Sequence, residues 1–378
     1  MKERISKLFQ ERFGNTGSFY ASPGRINLIG EHTDYNGGFV FPGAIDKCIM
    51  AEININGTDR VRVYSADMDS YVEFGLEEKD APQEQWARYI FGVCREIIKR
   101  GGVVKGFDTV FAGEVPLGAG LSSSAALESC FAFALNDLFN ENKIEKFELA
   151  LIGQSTEHNY CGVNCGIMDQ FASVFGKESC LMRLDCRSLE YAYYPFHAAD
   201  HGYKLVLLNS KVKHELVDSP YNKRRESCER VAKQLGVETL RDADMAMLDA
   251  ARDSISDEDY KRARYVIGEK QRVLDVCEAL EKNDFATVGE RMYQTHEGLS
   301  KDYEVSCEEL DFLNDVAREC GVTGSRIMGG GFGGCTINLV RDDKYDAFIA
   351  TAKQKFNDKY GHEPEVIPVV ISEGAHKL

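Results

Sequence analysis

The segment Pro116-Leu117-Gly118-Ala119-Gly120-Leu121-Ser122-Ser123-Ser124-Ala125-Ala126 constrains this chain more than any other. Two glycines alternate with apolar residues, three serines follow, and a largely apolar run continues to Phe139. The pattern predicts a tight backbone loop feeding a helix over 122–139, with serine as a favoured N-cap. Glycine lets backbone amides approach a ligand closely, and a helix N-terminus carries partial positive charge. Loop, hydroxyls and helix start together make a site for an anion that needs no lysine.

That matters because the chain is acidic. Lys+Arg total 45 against 61 for Asp+Glu in 378 residues, a formal charge of −16. Such a chain offers no broad cationic face for nucleic acid and repels phosphate at long range. An anionic ligand must therefore be held by local positive potential. The length suits two domains. The 43% hydrophobic and 28% charged residues are the balance of a soluble globular protein. No apolar run approaches the ~20 residues of a membrane span. The start, MKERISKLFQERF, is charged rather than a secretory signal, and Ile5, Leu8, Phe9 and Phe13 predict a short amphipathic helix. Twelve cysteines are scattered without a CxxC, which reads as reduced thiols in a cytoplasmic protein.

Strand-like runs occupy 49–55, 60–64 and 107–112. Apolar positions 86, 90, 93, 97 and 98 predict a helix over 84–101, stopped by Gly101-Gly102. The pattern turns β-rich again over 181–210 and is charged and helical from 222 to 300. A helix near 307–319, a glycine cluster, the strand CTINLV, a helix near 342–357 and the strand EVIPVVI complete the chain. The class is α+β, with an N-terminal domain over 1–190 and a C-terminal domain over 191–378.

Common nucleotide motifs fail. There is no GxxxxGK[ST]: before Gly176-Lys177, Phe171 stands where the first glycine belongs. There is no HRD or DFG. Gly329, Gly331 and Gly334 satisfy GxGxxG, but a strand follows rather than a helix, against a dinucleotide loop. This second cluster reads as a turn that lets backbone pass close to a ligand or to the first loop.

The run from Ser22 to Gly38 is dense in polar groups behind the apolar Ile26, Leu28 and Ile29. Arg25 offers a rigid fork of donors. Glu31, His32 and Asp34 fall within four positions, which suits a polyol, because each sugar hydroxyl both donates and accepts. Asp169 lies in the apolar stretch GIMDQFASVFG, either as a helix cap or in a half-buried site. Glu157 sits in a helical stretch where nothing local separates a surface acid from a functional one. His158, Cys161 and Cys165 do not have a zinc spacing.

Taken together, GRINLIGEHTDYNGG, PLGAGLSSSAALE, CGIMDQ, NSKVKHELVDSPYNKRR, DYEVSCEELD and SRIMGGGFGGCTI resemble the small-molecule kinase superfamily named for galactokinase, homoserine kinase, mevalonate kinase and phosphomevalonate kinase. The EHTDY segment resembles the galactokinase branch. The resemblance implies a ribosomal-protein-S5-like N-terminal domain that binds sugar and ATP, and a ferredoxin-like C-terminal domain. It implies transfer of the γ-phosphoryl group of ATP, with Mg²⁺, to the anomeric hydroxyl of α-D-galactose. Carried over by position, Asp169 is the catalytic carboxylate with Arg25 beside it. Glu31, His32, Thr33, Asp34, Gly166 and Tyr221 hold the sugar. Gly118, Ala119, Gly120, Leu121, Ser122, Ser123 and Ser124 wrap the phosphates, with Ser65 and Trp86 near the nucleotide. Ser124 and Glu157 are the Mg²⁺ ligands. Met328 departs from the family pattern, where threonine is expected. The resemblance further implies a cytoplasmic monomer whose partners are galactose and ATP, not nucleic acid or membrane. Two other readings stay open on the sequence: a kinase for N-acetylgalactosamine or another sugar, and a galactose- and ATP-binding sensor without catalysis.

Overall fold

The computed structural model describes residues 1–116, 118–212 and 220–378, with all their side chains except those of Pro220 and Tyr221. Helix Lys2–Phe13 forms where the 5, 8, 9, 13 spacing predicts it. It buries Ile5 and Phe9 against the first sheet and ends at Gly14, whose φ of 72° turns the chain out of the helix. The first sheet has six strands, in the order 376–377, 18–27, 42–55, 107–113, 60–65 and 70–75. All pairs are antiparallel except 60–65 with 107–113. Strand Phe107–Gly113 is buried on both faces, so that even its polar residues Asp108 and Thr109 are out of solvent. Helices Gln85–Lys99, Ser123–Phe139, Lys146–Thr156 and Met168–Phe175 pack around one another beside this sheet and share its main core.

A three-stranded antiparallel sheet joins 39–40, 180–185 and 191–195. The four-stranded sheet follows, with spatial order 324–327, 335–341, 203–209 and 365–369, all antiparallel. Counted along the chain from 203–209, that order is 2-3-1-4. With helix Glu308–Glu319 before the second strand and Asp342–Tyr360 before the fourth, it is the β-α-β-β-α-β arrangement of ferredoxin-like domains. A helical insertion, Pro220–Leu235, Met245–Ala250, Asp257–Glu281 and Phe285–Glu297, leaves and rejoins it.

Two observations bear on the division at 190/191. The hairpin of Cys180–Asp185 with Tyr191–Pro195 straddles it. The end of the chain returns to the first sheet, where Lys377 and His376 pair with Tyr20 and Ala21. The first sheet therefore contains residues from both ends of the chain. The strand expected at 49–55 begins earlier, at Pro42, because residues 42–48 pair with Pro23–Asn27 of the neighbouring strand.

Candidate active site

Strand Ser18–Asn27 delivers Arg25 to the mouth of the glycine-serine loop. Arg25 N–H donates to Leu121 O at 3.1 Å, and its Nη1 donates to Gly120 O. Its Nε donates to Asp169 Oδ1 at 2.8 Å. Asp169 Oδ2 accepts from Ser122 Oγ. Asp169 lies in the first turn of helix Met168–Phe175, so the carboxylate is aimed by one donor on each oxygen. It is 28% exposed where Arg25 is 5%. The acid is thus open to a ligand and the guanidinium is locked behind it.

Ser122 stands at the N-cap of helix Ser123–Phe139 but makes no capping bond; its φ of 57° turns the hydroxyl to Asp169 instead. Ser124 is likewise committed elsewhere: its Oγ donates to Glu157 Oε1 at 2.8 Å. The expectation of an ordinary serine cap is therefore corrected. The hydroxyls serve two carboxylates, leaving the start of a 17-residue helix to face the cavity. Glu157 begins the π-helical turn Glu157–Cys161. Burial pushes its carboxyl up from the ordinary value, against the opposing Ser124 hydrogen bond.

The cavity measures about 370 Å³ and is lined by Arg25, Gly30, Glu31, His32, Asp34, Gly118, Gly120, Leu121, Ser122, Ser123, Ser124, Glu157, Gly166 and Asp169, among others. Most of the expected site residues therefore meet in one place. Ala119 is fully buried and faces the core rather than the cavity. Ser65, buried at the end of strand Arg60–Ser65, and Trp86, tilted against Phe111 with ring centroids 5.5 Å apart, are not among the lining residues. The side chain of Tyr221 lies outside the described residues.

The loop 31–34 is held as follows. Glu31 Oε1 accepts from Gly329 N–H at 2.8 Å and from Arg326 Nη2 at 3.0 Å. His32 reaches Gly330 O through Nε2 at 3.1 Å and Tyr35 Oη through Nδ1 at 2.8 Å. A carbonyl only accepts, so Nε2 carries the proton and Nδ1 accepts from Tyr35. Burial lowers the imidazole pKa to about 4, so the ring is neutral at physiological pH. Both ring nitrogens are thus engaged by protein, so His32, which lines the cavity as expected, also braces the glycine cluster. Thr33 is also corrected. Its Oγ1 lies 2.8 Å from Gly30 O and 2.6 Å from Phe39 O inside the turn, and it does not line the cavity.

Asp34 faces the cavity, and burial, with Asp169 and Glu31 nearby, pushes its pKa up to about 6. Gly166 is required for that pose, since a Cβ on it would overlap the carboxylate and come 2.7 Å from Asp34 Cγ. The two glycine clusters press together. A Cβ on Gly120 would come 3.3 Å from the carbonyl of the buried Met328, and Gly329 and Gly330 complete the wall.

Sequence reasoning missed Arg326, Asn164 and Asn222. Asn164 and Asn222 line the cavity, and Arg326 is fully buried. Arg326 carried one signal, a charge inside the short run Ser-Arg-Ile-Met that leads into the glycines.

The chain matches three family models: the galactokinase galactose-binding signature over residues 7–54, the GHMP kinases N terminal domain over 88–177 and the GHMP kinases C terminal over 277–358. It is 40% identical to a galactokinase of Clostridium acetobutylicum, over 100% of this chain and 98% of that one. A crystal structure of Lactococcus lactis galactokinase complexed with galactose superposes with a TM-score of 0.94 at 35% identity, covering 99% of this chain and 98% of that one. The Methanococcus jannaschii mevalonate kinase shares the fold, with a TM-score of 0.68 at 16% identity over 96% of this chain and 100% of that one.

Proposed function

The chain belongs to the galactokinase family and is an ATP-dependent galactose kinase, and we propose that it transfers the γ-phosphoryl group to the C1 hydroxyl of α-D-galactose in the cavity beside Asp169. The observation that carries this reading is the placement of Asp169. It is gripped by Arg25 and Ser122 where the polar loop 31–34 meets the glycine-serine loop. A sugar held by Glu31 and Asp34 then presents a hydroxyl to Asp169, and phosphates held by the amides of 118–124 lie opposite. In the transfer, the C1 oxygen bonds the γ-phosphorus as the bond to the ADP oxygen breaks. The hydroxyl proton passes to the Asp169 carboxylate. Phosphoryl transfer needs alignment and charge neutralisation more than covalent help, and the fixed amides, helix start and guanidinium provide both.

Magnesium fits the pair Ser124 Oγ and Glu157 Oε1, two hard oxygens 2.8 Å apart in the cavity wall. Among the described residues no group of three or more His, Cys, Asp or Glu gathers to hold a metal. A nucleotide-bound magnesium takes only one or two protein oxygens, with substrate phosphates and water supplying the rest. When bound, the ion would supply positive charge to the phosphate oxygens. We place the enzyme in the cytoplasm, where its twelve free cysteines stay reduced. No described helix is long and apolar enough to cross a membrane.

The test is a product assay with ATP and galactose, N-acetylgalactosamine, glucose or arabinose. Galactose 1-phosphate is the expected principal product. Binding of galactose and ATP without product would assign a sensor instead, and preferential turnover of N-acetylgalactosamine would reassign the substrate.

A further inference from the structure

The loop that carries Glu31 and Asp34 is held in large part from the far end of the chain. Gly30 N–H donates to Glu269 Oε1 at 2.8 Å, across 239 residues. Glu269 lies within helix Asp257–Glu281 and is fully buried. Its other oxygen, Oε2, accepts from Arg272 Nε at 2.6 Å and from Thr295 Oγ1 at 2.8 Å. One turn earlier on the same helix face, Tyr265 Oη donates to the Glu31 carbonyl at 2.9 Å. Consecutive residues of the loop are thus tied to one helix, Gly30 through its amide and Glu31 through its carbonyl.

A fully buried carboxylate is costly unless its partners are complete. Arg272 and Thr295 occupy Oε2 and fix the carboxylate, which leaves Oε1 aimed at the loop. Without that oxygen the Gly30 amide, in a buried turn, loses its acceptor. We propose that Glu269 is a positioning residue for galactose: with Tyr265 it sets the backbone at 30–31 from the second domain and so decides where Glu31 and Asp34 meet the sugar. This rests on the reading of 31–34 as the sugar loop. Galactose affinity is therefore tied to the position of helix Asp257–Glu281, which packs on the strands 39–40 and 191–195, although no residue of that helix lines the cavity.

The variants are Glu269→Ala, Glu269→Gln and Tyr265→Phe, each assayed for galactose KM, ATP KM, kcat and melting temperature. Glu269→Ala raises galactose KM about tenfold or more, the scale expected when a buried donor is left unpaired. Glu269→Gln keeps one carbonyl oxygen, which can accept from Gly30 or from Arg272 but not from both, and so recovers only part of that loss. Tyr265→Phe, which deletes a single hydroxyl, raises galactose KM roughly threefold or more. ATP KM stays within about twofold throughout. Unchanged galactose KM in both Glu269→Ala and Tyr265→Phe, with only the melting temperature lowered, overturns the proposal and leaves Glu269 a scaffold residue. A rise in ATP KM alone refutes the sugar-loop reading on which the proposal stands. If Glu269→Ala does not fold, Tyr265→Phe decides alone: a raised galactose KM with ATP KM unchanged supports the proposal, and an unchanged galactose KM overturns it.

Discussion

Arg25 Nε and Asp169 Oδ1 stand 2.8 Å apart, although 144 residues separate them in the chain. The pair joins the strand that leads to the 31–34 loop with the helix that follows Gly166, and Ser122 closes the contact from the glycine-serine loop. Replacing Asp169 with Asn preserves shape and removes the proton acceptor. General-base contributions run at about 10²–10⁴-fold, so kcat falls by that order. Calorimetric ATP affinity stays near that of the parent. Turnover close to the parent value would remove Asp169 from the chemistry.

Arg25→Lys tests the fork rather than the charge. The guanidinium gives Nε to Asp169 and Nη1 to Gly120 O at the same time. A lysine carries one nitrogen and cannot span both. Losing one charge-assisted bond is worth about 1.5–3 kcal/mol, so kcat falls roughly ten- to hundredfold. Steady-state kinetics at neutral pH provide the measurement, and a lysine variant with parental kcat shows that charge alone suffices.

Gly166→Ala acts through Asp34. The new methyl overlaps the carboxylate, so Asp34 must swing out of the position proposed to receive the sugar. Displacement of a positioning group by about 1 Å can cost on the order of a hundredfold. Galactose KM is expected to rise between about ten- and a hundredfold, with ATP KM unchanged. Equal effects on both substrates would place Asp34 outside the sugar subsite.

Much of this was legible before the structure, and the reason is local. Gly118 to Ser124 and Glu31 to Asp34 are contiguous, and each segment carries its chemistry within a few residues. The helix Gln85–Lys99 and strand Phe107–Gly113 follow from periodicity in the same way. What stayed hidden depends on contacts between distant segments. Glu269 is one charge among many in a helix of 25 residues, and nothing near it in sequence points to Gly30. The two carboxyl-terminal strand residues pair with Tyr20 and Ala21 without any pattern of their own. Thr33 turns away from the cavity for a related reason: spacing identifies a polar cluster, but which members turn inward is decided by partners such as the carbonyls of Gly30 and Phe39.

Asp34 and His32 make opposite contributions to stability as pH changes. The Asp34 pKa rises from 3.8 to about 6, so between these values the folded chain keeps a proton that the unfolded chain has released. Stability from this group therefore falls as pH rises through that window. The His32 pKa is lowered from 6.5 to about 4, so the unfolded chain binds the extra proton and stability rises over nearly the same window. Asp34→Asn removes the first effect and leaves the second. Thermal melts between pH 4.5 and 7 should show the variant gaining more than the parent up to about pH 6, with parallel curves above. Curves parallel throughout would mean that Asp34 is not raised.

Glu157→Gln tests the metal assignment without touching the sugar loop. Glu157 Oε1 receives the Ser124 hydroxyl, and a glutamine oxygen can take the same bond, so the local structure is expected to hold. The negative charge that would face the cation is lost. Burial already disfavours that charge, raising the Glu157 pKa, so the charged form would be stabilised mainly by a bound cation. The magnesium concentration for half-maximal activity therefore rises, by about tenfold or more, the scale of losing one charged ligand oxygen. At saturating magnesium, galactose KM stays near the parent value. Ser124→Ala should shift the magnesium requirement in the same direction and by less, because a neutral hydroxyl contributes less than a carboxylate. A galactose defect in Glu157→Gln with an unchanged magnesium requirement would move this carboxylate from the phosphate side of the cavity to the sugar side.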